Sequence, residues 1–184
     1  MKYDPDKHHR RSIRLKGYDY SAEGACFVTI CTRNRECLFG QIADGIMVLN
    51  EHGEIATRCW LEIPDHFPQV ELDEYIVMPN HLHGVLVIRC RGEAFGVPNA
   101  SPLPPQPPHG TQPGSLGAIV QNYKSISTRK INHQRKSPGT PVWQRNYYEH
   151  VVRNEKSLDD IRSYILSNPS CWDQDEENPS HRKQ

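Results

Sequence analysis

No charge of either sign predominates in this chain. Its 184 residues carry 22 lysines and arginines against 22 aspartates and glutamates. Net charge therefore gives no argument about a nucleic-acid partner, and only the placement of charge can. The six cysteines (Cys26, Cys31, Cys37, Cys59, Cys90 and Cys171) include no C-x-x-C pair and form no regular framework. That disfavours a zinc ribbon or a disulfide scaffold and reads as reduced thiols in a cytoplasmic setting. Met1 to Lys16 is polar and charged, so no secretory leader is expected. No apolar run approaches the roughly 20 residues that a membrane span needs. No G-x-x-x-x-G-K-[ST] phosphate loop occurs, so chemistry driven by nucleotide hydrolysis on such a loop is not expected.

The remaining pattern reads as one domain with two appendages. Residues 1–24 form a basic arm carrying Arg10, Arg11 and Arg14. Residues 25–170 form the domain, and residues 171–184 an acidic and polar tail. Ala25 to Thr32 (ACFVTICT) is a predicted central strand, followed at once by Arg33 and Arg35. Gly45 to Leu49 is a short strand. Asn50 caps a helix to about Ile63. Val70 to Met78 and His81 to Ile88 are two strands around the Met78-Pro79-Asn80 break. Residues 92–115 form an extended loop centred on Pro102-Leu-Pro-Pro-Gln-Pro-Pro108. Leu116, Ile119, Val120, Tyr123, Ile126 and Ile131 make the apolar stripe of a helix whose polar side carries Lys124, Arg129 and Lys130. No acidic residue falls between Leu116 and Val142, which favours a phosphate-facing surface. A last strand is expected from Val142 through Tyr148. A final helix is expected to start near Ser157 and end at Asn168-Pro169. The order predicts an α+β fold: a ferredoxin-like antiparallel sheet with helices on one face, plus a C-terminal helix carrying Tyr164.

His81 and His83 are the most informative residues. Alternate residues of a strand share a face, so both imidazoles point the same way. Such a pair suits one divalent ion, although strand-end histidines also serve simply to satisfy nearby carbonyls. Tyr164 lies at the edge of its helix's apolar stripe, where a structural tyrosine would look the same. Asn168, four residues on, would place an amide oxygen near the phenol, and such an oxygen is an acceptable ligand for Mg²⁺ or Mn²⁺. Two imidazoles and one amide leave coordination positions open, as in a catalytic site rather than a closed structural one. Histidine ligands must be neutral, so activity is expected to fall below about pH 6. A histidine-triad hydrolase would want a third alternating histidine, and position 85 is Val.

Three stretches carry a family resemblance. They are Arg11-Ser-Ile-Arg-Leu-Lys-Gly-Tyr-Asp-Tyr20 leading into Phe27–Thr32, Tyr75-Ile-Val-Met-Pro-Asn-His-Leu-His-Gly84, and Trp143–His150 running on to Tyr164-Ile-Leu-Ser-Asn-Pro169. In them the chain resembles the HUH-superfamily single-tyrosine transposases (the insertion sequence 200-like group), and among these the REP-associated tyrosine transposases. The resemblance implies a metal-dependent endonuclease and strand transferase that cuts single-stranded DNA near hairpins through a covalent 5′-phosphotyrosine. It implies Tyr164 as nucleophile, His81, His83 and Asn168 as ligands to Mg²⁺ or Mn²⁺, and Tyr147 and Tyr148 as structural. Arg10, Arg11, Arg14, Arg33, Arg35, Lys124, Arg129 and Lys130 become candidate DNA contacts on grounds of charge. The expected partner is hairpin-bearing single-stranded DNA in a bacterial-type cytoplasm, bound by a monomer or homodimer. The alternative is a domesticated protein that grips hairpins and cuts poorly.

Overall fold

The computed structural model describes residues 20–89, 111–175 and 177–181. Arg10, Arg11, Arg14 and most of the proline-rich loop lie outside the described residues.

Six strands and four α-helices are described: β1 (Gly24–Cys31), β2 (Gly40–Ala43), β3 (Ile46–Leu49), α1 (Glu51–Leu61), α2 (Ile63–His66), β4 (Val70–Val77), β5 (His81–Ile88), α3 (Leu116–Gln134), β6 (Tyr148–Val152) and α4 (Glu155–Ser167). Four strands make one antiparallel sheet in the order β4-β5-β1-β6, and β2 and β3 pair separately as a hairpin. With the hairpin set aside, the order β1-α1-β4-β5-α3-β6 is the ferredoxin-like arrangement.

The two most apolar strands take the centre of the sheet. Their register sets Val28 opposite Gly84 and Ile30 opposite Leu82 on one face, with Thr29 opposite His83 and Cys31 opposite His81 on the other. The first face packs on α1 and α3 in the main core, where Trp60, Ile63, Leu82, Leu86, Ile119 and Tyr123 are essentially solvent-free. The second face carries a smaller cluster, Phe27, Val85 and Ile165, with Leu158 and Ile161 packed against it. The helix bearing Tyr164 thus lies across the sheet from the other long helices.

Gly84 sets how closely the main-core face packs. A Cβ there would sit 2.4 Å from Cζ2 of the Trp60 indole, a rigid group with nowhere to move. Only glycine lets α1 press this closely on β5. Gly84→Ala is expected to destabilise the protein by about 1–3 kcal/mol through overpacking. Urea unfolding measures this directly, and a midpoint equal to wild type would refute the close approach.

Local chemistry moves three expected boundaries. The short second strand is half of a hairpin, turned at Asp44-Gly45, where both residues hold positive φ (52° and 72°). The last strand begins at Tyr148, not Val142. Trp143 makes only a bridge to Thr32 before entering the main core against Phe39 and Tyr123, where its indole donates to Ser127 Oγ at 2.9 Å. Gln144 N still donates to the Cys31 carbonyl of β1 at 2.9 Å, after which the Lys124 ammonium donates to the carbonyls of Gln144 and Asn146. Helix α4 starts at Glu155, because Asn154 rather than Ser157 is the cap and accepts from Ser157 N at 2.8 Å. Asn50 caps α1 as expected, accepting from His52 N and Gly53 N.

Candidate metal and tyrosine site

The site begins with the turn before β5. Asn80 is fully buried, and its Nδ2 donates to the carbonyls of Arg35 (3.0 Å) and Glu177 (2.8 Å). Its Oδ1 must then be the atom facing His81 Nδ1 at 2.9 Å. A carbonyl oxygen only accepts, so Nδ1 of His81 carries the proton and Nε2 presents a lone pair. That Nε2 is buried and has no hydrogen-bond partner among the described residues.

His83 stands beside it, with ring centroids 4.4 Å apart. Its Nδ1 lies 2.8 Å from Thr29 Oγ1 and its Nε2 lies 3.2 Å from the Tyr164 hydroxyl. Phe27 stacks on His83 and meets the Tyr164 ring edge-on, which fixes the planes of both. Burial, with Arg35 adding to it, pushes His81 down to about 3. Burial and the neighbouring His81 hold His83 well below the ordinary imidazole range. Both rings are therefore neutral through the mildly acidic range, and the loss of ligation expected near pH 6 moves to lower pH.

Tyr164 is half-exposed and opens into a cleft of about 580 Å³ lined by Thr29, Tyr148, Asn168 and Asp175 among others. Asn168 ends α4 one turn below Tyr164 and is buried. Its Nδ2 donates to Asp175 Oδ2 at 3.2 Å, and its Oδ1 has no partner among the described residues. Tyr148 faces the same cleft, whereas Tyr147 lies under the Lys124 ammonium.

The donors fit a hard divalent ion. A buried imidazole lone pair and a buried amide oxygen without partners are costly unless something electropositive meets them. Asp175 was missed by sequence reasoning. Its Oδ2 lies 3.9 Å from His81 Nε2, and one ligand atom each from His81, His83 and Asp175 lie within 4.8 Å of one another. Spacing carries no sign of it, since Asp175 sits in what reads as a solvated acidic tail. Trp172 is the available hint: an aromatic in a polar tail wants a surface, and its ring tilts over His81 at 6.0 Å.

The candidate DNA contacts divide. Arg33 is exposed at the β1 end of the site, and the half-buried Arg35 pairs with Glu177 at 2.7 Å. Lys124 is committed to backbone carbonyls. Arg129 is exposed on α3 and Lys130 pairs with Glu62 at 2.7 Å, both on the helix that packs against the other face of the sheet.

The four-stranded antiparallel sheet with helices on both faces is a fold shared with a solved transposase. A REP-associated tyrosine transposase bound to a REP hairpin superposes with a TM-score of 0.55 at 19% identity, covering 86% of this chain and 73% of that one. The chain belongs to the same family as an uncharacterized protein of Haemophilus influenzae, 45% identical over 177 residues that span 95% of this chain and 96% of that protein. No family model matches the chain. No helix among the described residues is long and apolar enough to cross a membrane.

Proposed function

We propose that the protein is a metal-dependent endonuclease and strand transferase for single-stranded DNA, acting near hairpins through a covalent 5′-phosphotyrosine on Tyr164. The observation that carries this is the 3.2 Å approach of the Tyr164 hydroxyl to His83 Nε2, beside two buried and unpartnered ligand atoms, His81 Nε2 and Asn168 Oδ1. The hairpin held by the superposing transposase supports the substrate class.

His81, His83 and Asn168 would hold the ion, Mg²⁺ or Mn²⁺. A bound ion there supplies Lewis-acid polarisation of a non-bridging phosphate oxygen. The protein's own groups do the rest. Asn80 and Thr29 bond the far nitrogens of the two histidines and so hold their rings in place. Phe27 sets the angle of the phenol. Tyr164 Oη attacks phosphorus as its proton leaves to solvent. The Oη–P bond forms, the P–O3′ bond breaks, and the 3′ oxygen departs protonated as a free hydroxyl. A second 3′-hydroxyl reverses the step and joins strands. The phosphotyrosine conserves the phosphodiester energy, in keeping with a chain that has no nucleotide-binding phosphate loop.

In this reading Arg33 and Arg35 contact the strand near the scissile phosphate. Arg129 and Lys130 would serve only a DNA segment that passes to the far side of the sheet, and Lys124 shapes the 144–147 loop. Arg10, Arg11 and Arg14 are proposed contacts on charge alone.

The test is a denaturing gel with labelled single-stranded DNA containing the hairpins that flank the encoding gene. Wild-type protein with Mn²⁺ is expected to give a shifted band that survives SDS. EDTA, His81→Ala and His83→Ala are each expected to remove it. Tight DNA binding with no adduct under any metal would overturn the enzyme and leave a hairpin-binding protein.

A further inference from the structure

We propose that Asp175, in the segment that follows α4, is a further ligand to the ion, so that metal binding fastens the C-terminal tail across the cleft. This rests on the metal reading of the site given above.

Asp175 is placed as a ligand would be. Its side chain is only 6% exposed, and Oδ2 lies 3.9 Å from the lone pair of His81 Nε2. Among the described residues, Oδ2 accepts from Asn168 Nδ2 at 3.2 Å and Oδ1 from Glu177 N at 2.6 Å. A carboxylate facing the lone-pair side of a neutral imidazole gains nothing from it, because both are acceptors. A shared cation turns the same geometry favourable. Two ligands about 2.1 Å from one Mg²⁺ ion stand at most about 4.2 Å apart. His81 Nε2 and Asp175 Oδ2, at 3.9 Å, already fall inside that limit, and one ligand atom from each of His81, His83 and Asp175 lies within 4.8 Å of the others.

The tail is also pinned on both sides of Asp175 by contacts that need no metal. Glu177 accepts from Asn80 Nδ2 through its carbonyl at 2.8 Å, and its carboxylate pairs with Arg35 at 2.7 Å. Trp172 lies over His81. The carboxylate is therefore delivered to the ion by a chain fixed fore and aft. The two histidines and Asn168 are uncharged, so Asp175 would be the anion that makes this donor set attractive to a hard divalent cation. Linkage then follows: whatever factor the ordered tail adds to metal affinity, bound metal adds to tail order.

The test is calorimetric titration of Mn²⁺ into EDTA-treated, desalted full-length protein. Asp175→Asn and Asp175→Ala are expected to weaken Mn²⁺ binding by at least about tenfold, since losing even an outer partner of a ligand costs that much. Glu177→Gln disturbs the tail's anchor without removing a ligand and is expected to weaken binding far less. Hydrogen exchange gives a second readout: Mn²⁺ is expected to slow exchange across residues 171–178 in wild type and not in Asp175→Ala. Asp175→Asn with wild-type affinity, or Glu177→Gln weakened equally, would overturn the assignment and leave the His81–His83 site standing. Wild-type protein that takes up no Mn²⁺, or takes it up unchanged in His81→Ala, would instead remove the metal reading itself, and Asp175 with it.

Discussion

Tyr164→Phe is expected to abolish the covalent DNA adduct and to lower strand cleavage by at least about a thousandfold, because the attacking oxygen itself is lost. Folding should barely register the change. The phenol is half-exposed, and phenylalanine keeps the ring that meets Phe27 edge-on. Mn²⁺ affinity should hold as well, since the histidines and Asn168 are untouched. Activity lost with stability and metal binding intact is the pattern of a nucleophile rather than a structural tyrosine. Tyr148→Phe is the control that gives the result its force, because Tyr148 opens on the same cleft. An adduct that survives Tyr164→Phe and disappears in Tyr148→Phe would transfer the role to Tyr148.

The second large effect concerns stability against pH. His81 is held at about 3 by burial and by Arg35, while in an unfolded chain an imidazole titrates near 6.5. The sign follows from proton counting. Between those values the unfolded chain binds a proton that the folded chain refuses, so acid favours unfolding. Above about 6.5 the effect is silent, and it grows as pH falls, by about 1.4 kcal/mol per pH unit for each such histidine. His83 is shifted in the same direction, so the two together should make stability fall steeply from pH 6.5 toward 4. Urea unfolding in EDTA at pH 7, 6 and 5 measures this. His81→Leu should flatten the profile by about one proton's slope, and parallel profiles for variant and wild type would refute the buried-neutral assignment.

Much of the site was legible because its geometry is local. Strand alternation alone puts His81 and His83 on one face, and helical spacing alone puts Asn168 one turn from Tyr164. The ferredoxin-like order could likewise be read from apolar periodicity. What escaped depended on contacts distant in sequence, or on a turn signal given too little weight. Asp44-Gly45 is a strong hairpin signal, yet Gly40–Ala43 is too short and mixed to read as its partner strand. Val142 and Trp143 look like strand residues and are drawn into the main core instead. There the Trp143 ring meets Phe39 and Tyr123 and its indole donates to Ser127, contacts made across 16 residues or more. Lys124 itself read as a phosphate contact because its charge is visible in sequence and its burial is not. Asp175 was hidden most completely. Its approach to His81 spans more than half the chain, and an acidic run carries no mark that one of its members turns inward.

The two faces of the sheet also bear on how such a protein can change over generations. The face packed on α1 and α3 holds nearly all of the fully buried side chains, whereas the chemical face rests on a cluster of only three, Phe27, Val85 and Ile165. Substitution of the half-exposed Tyr164 therefore taxes folding little, and a lineage could shed strand cleavage there while its scaffold persists. Inherited shape would then outlast inherited chemistry, so a descendant that still folds this way must be questioned at Tyr164, His81 and His83 one residue at a time.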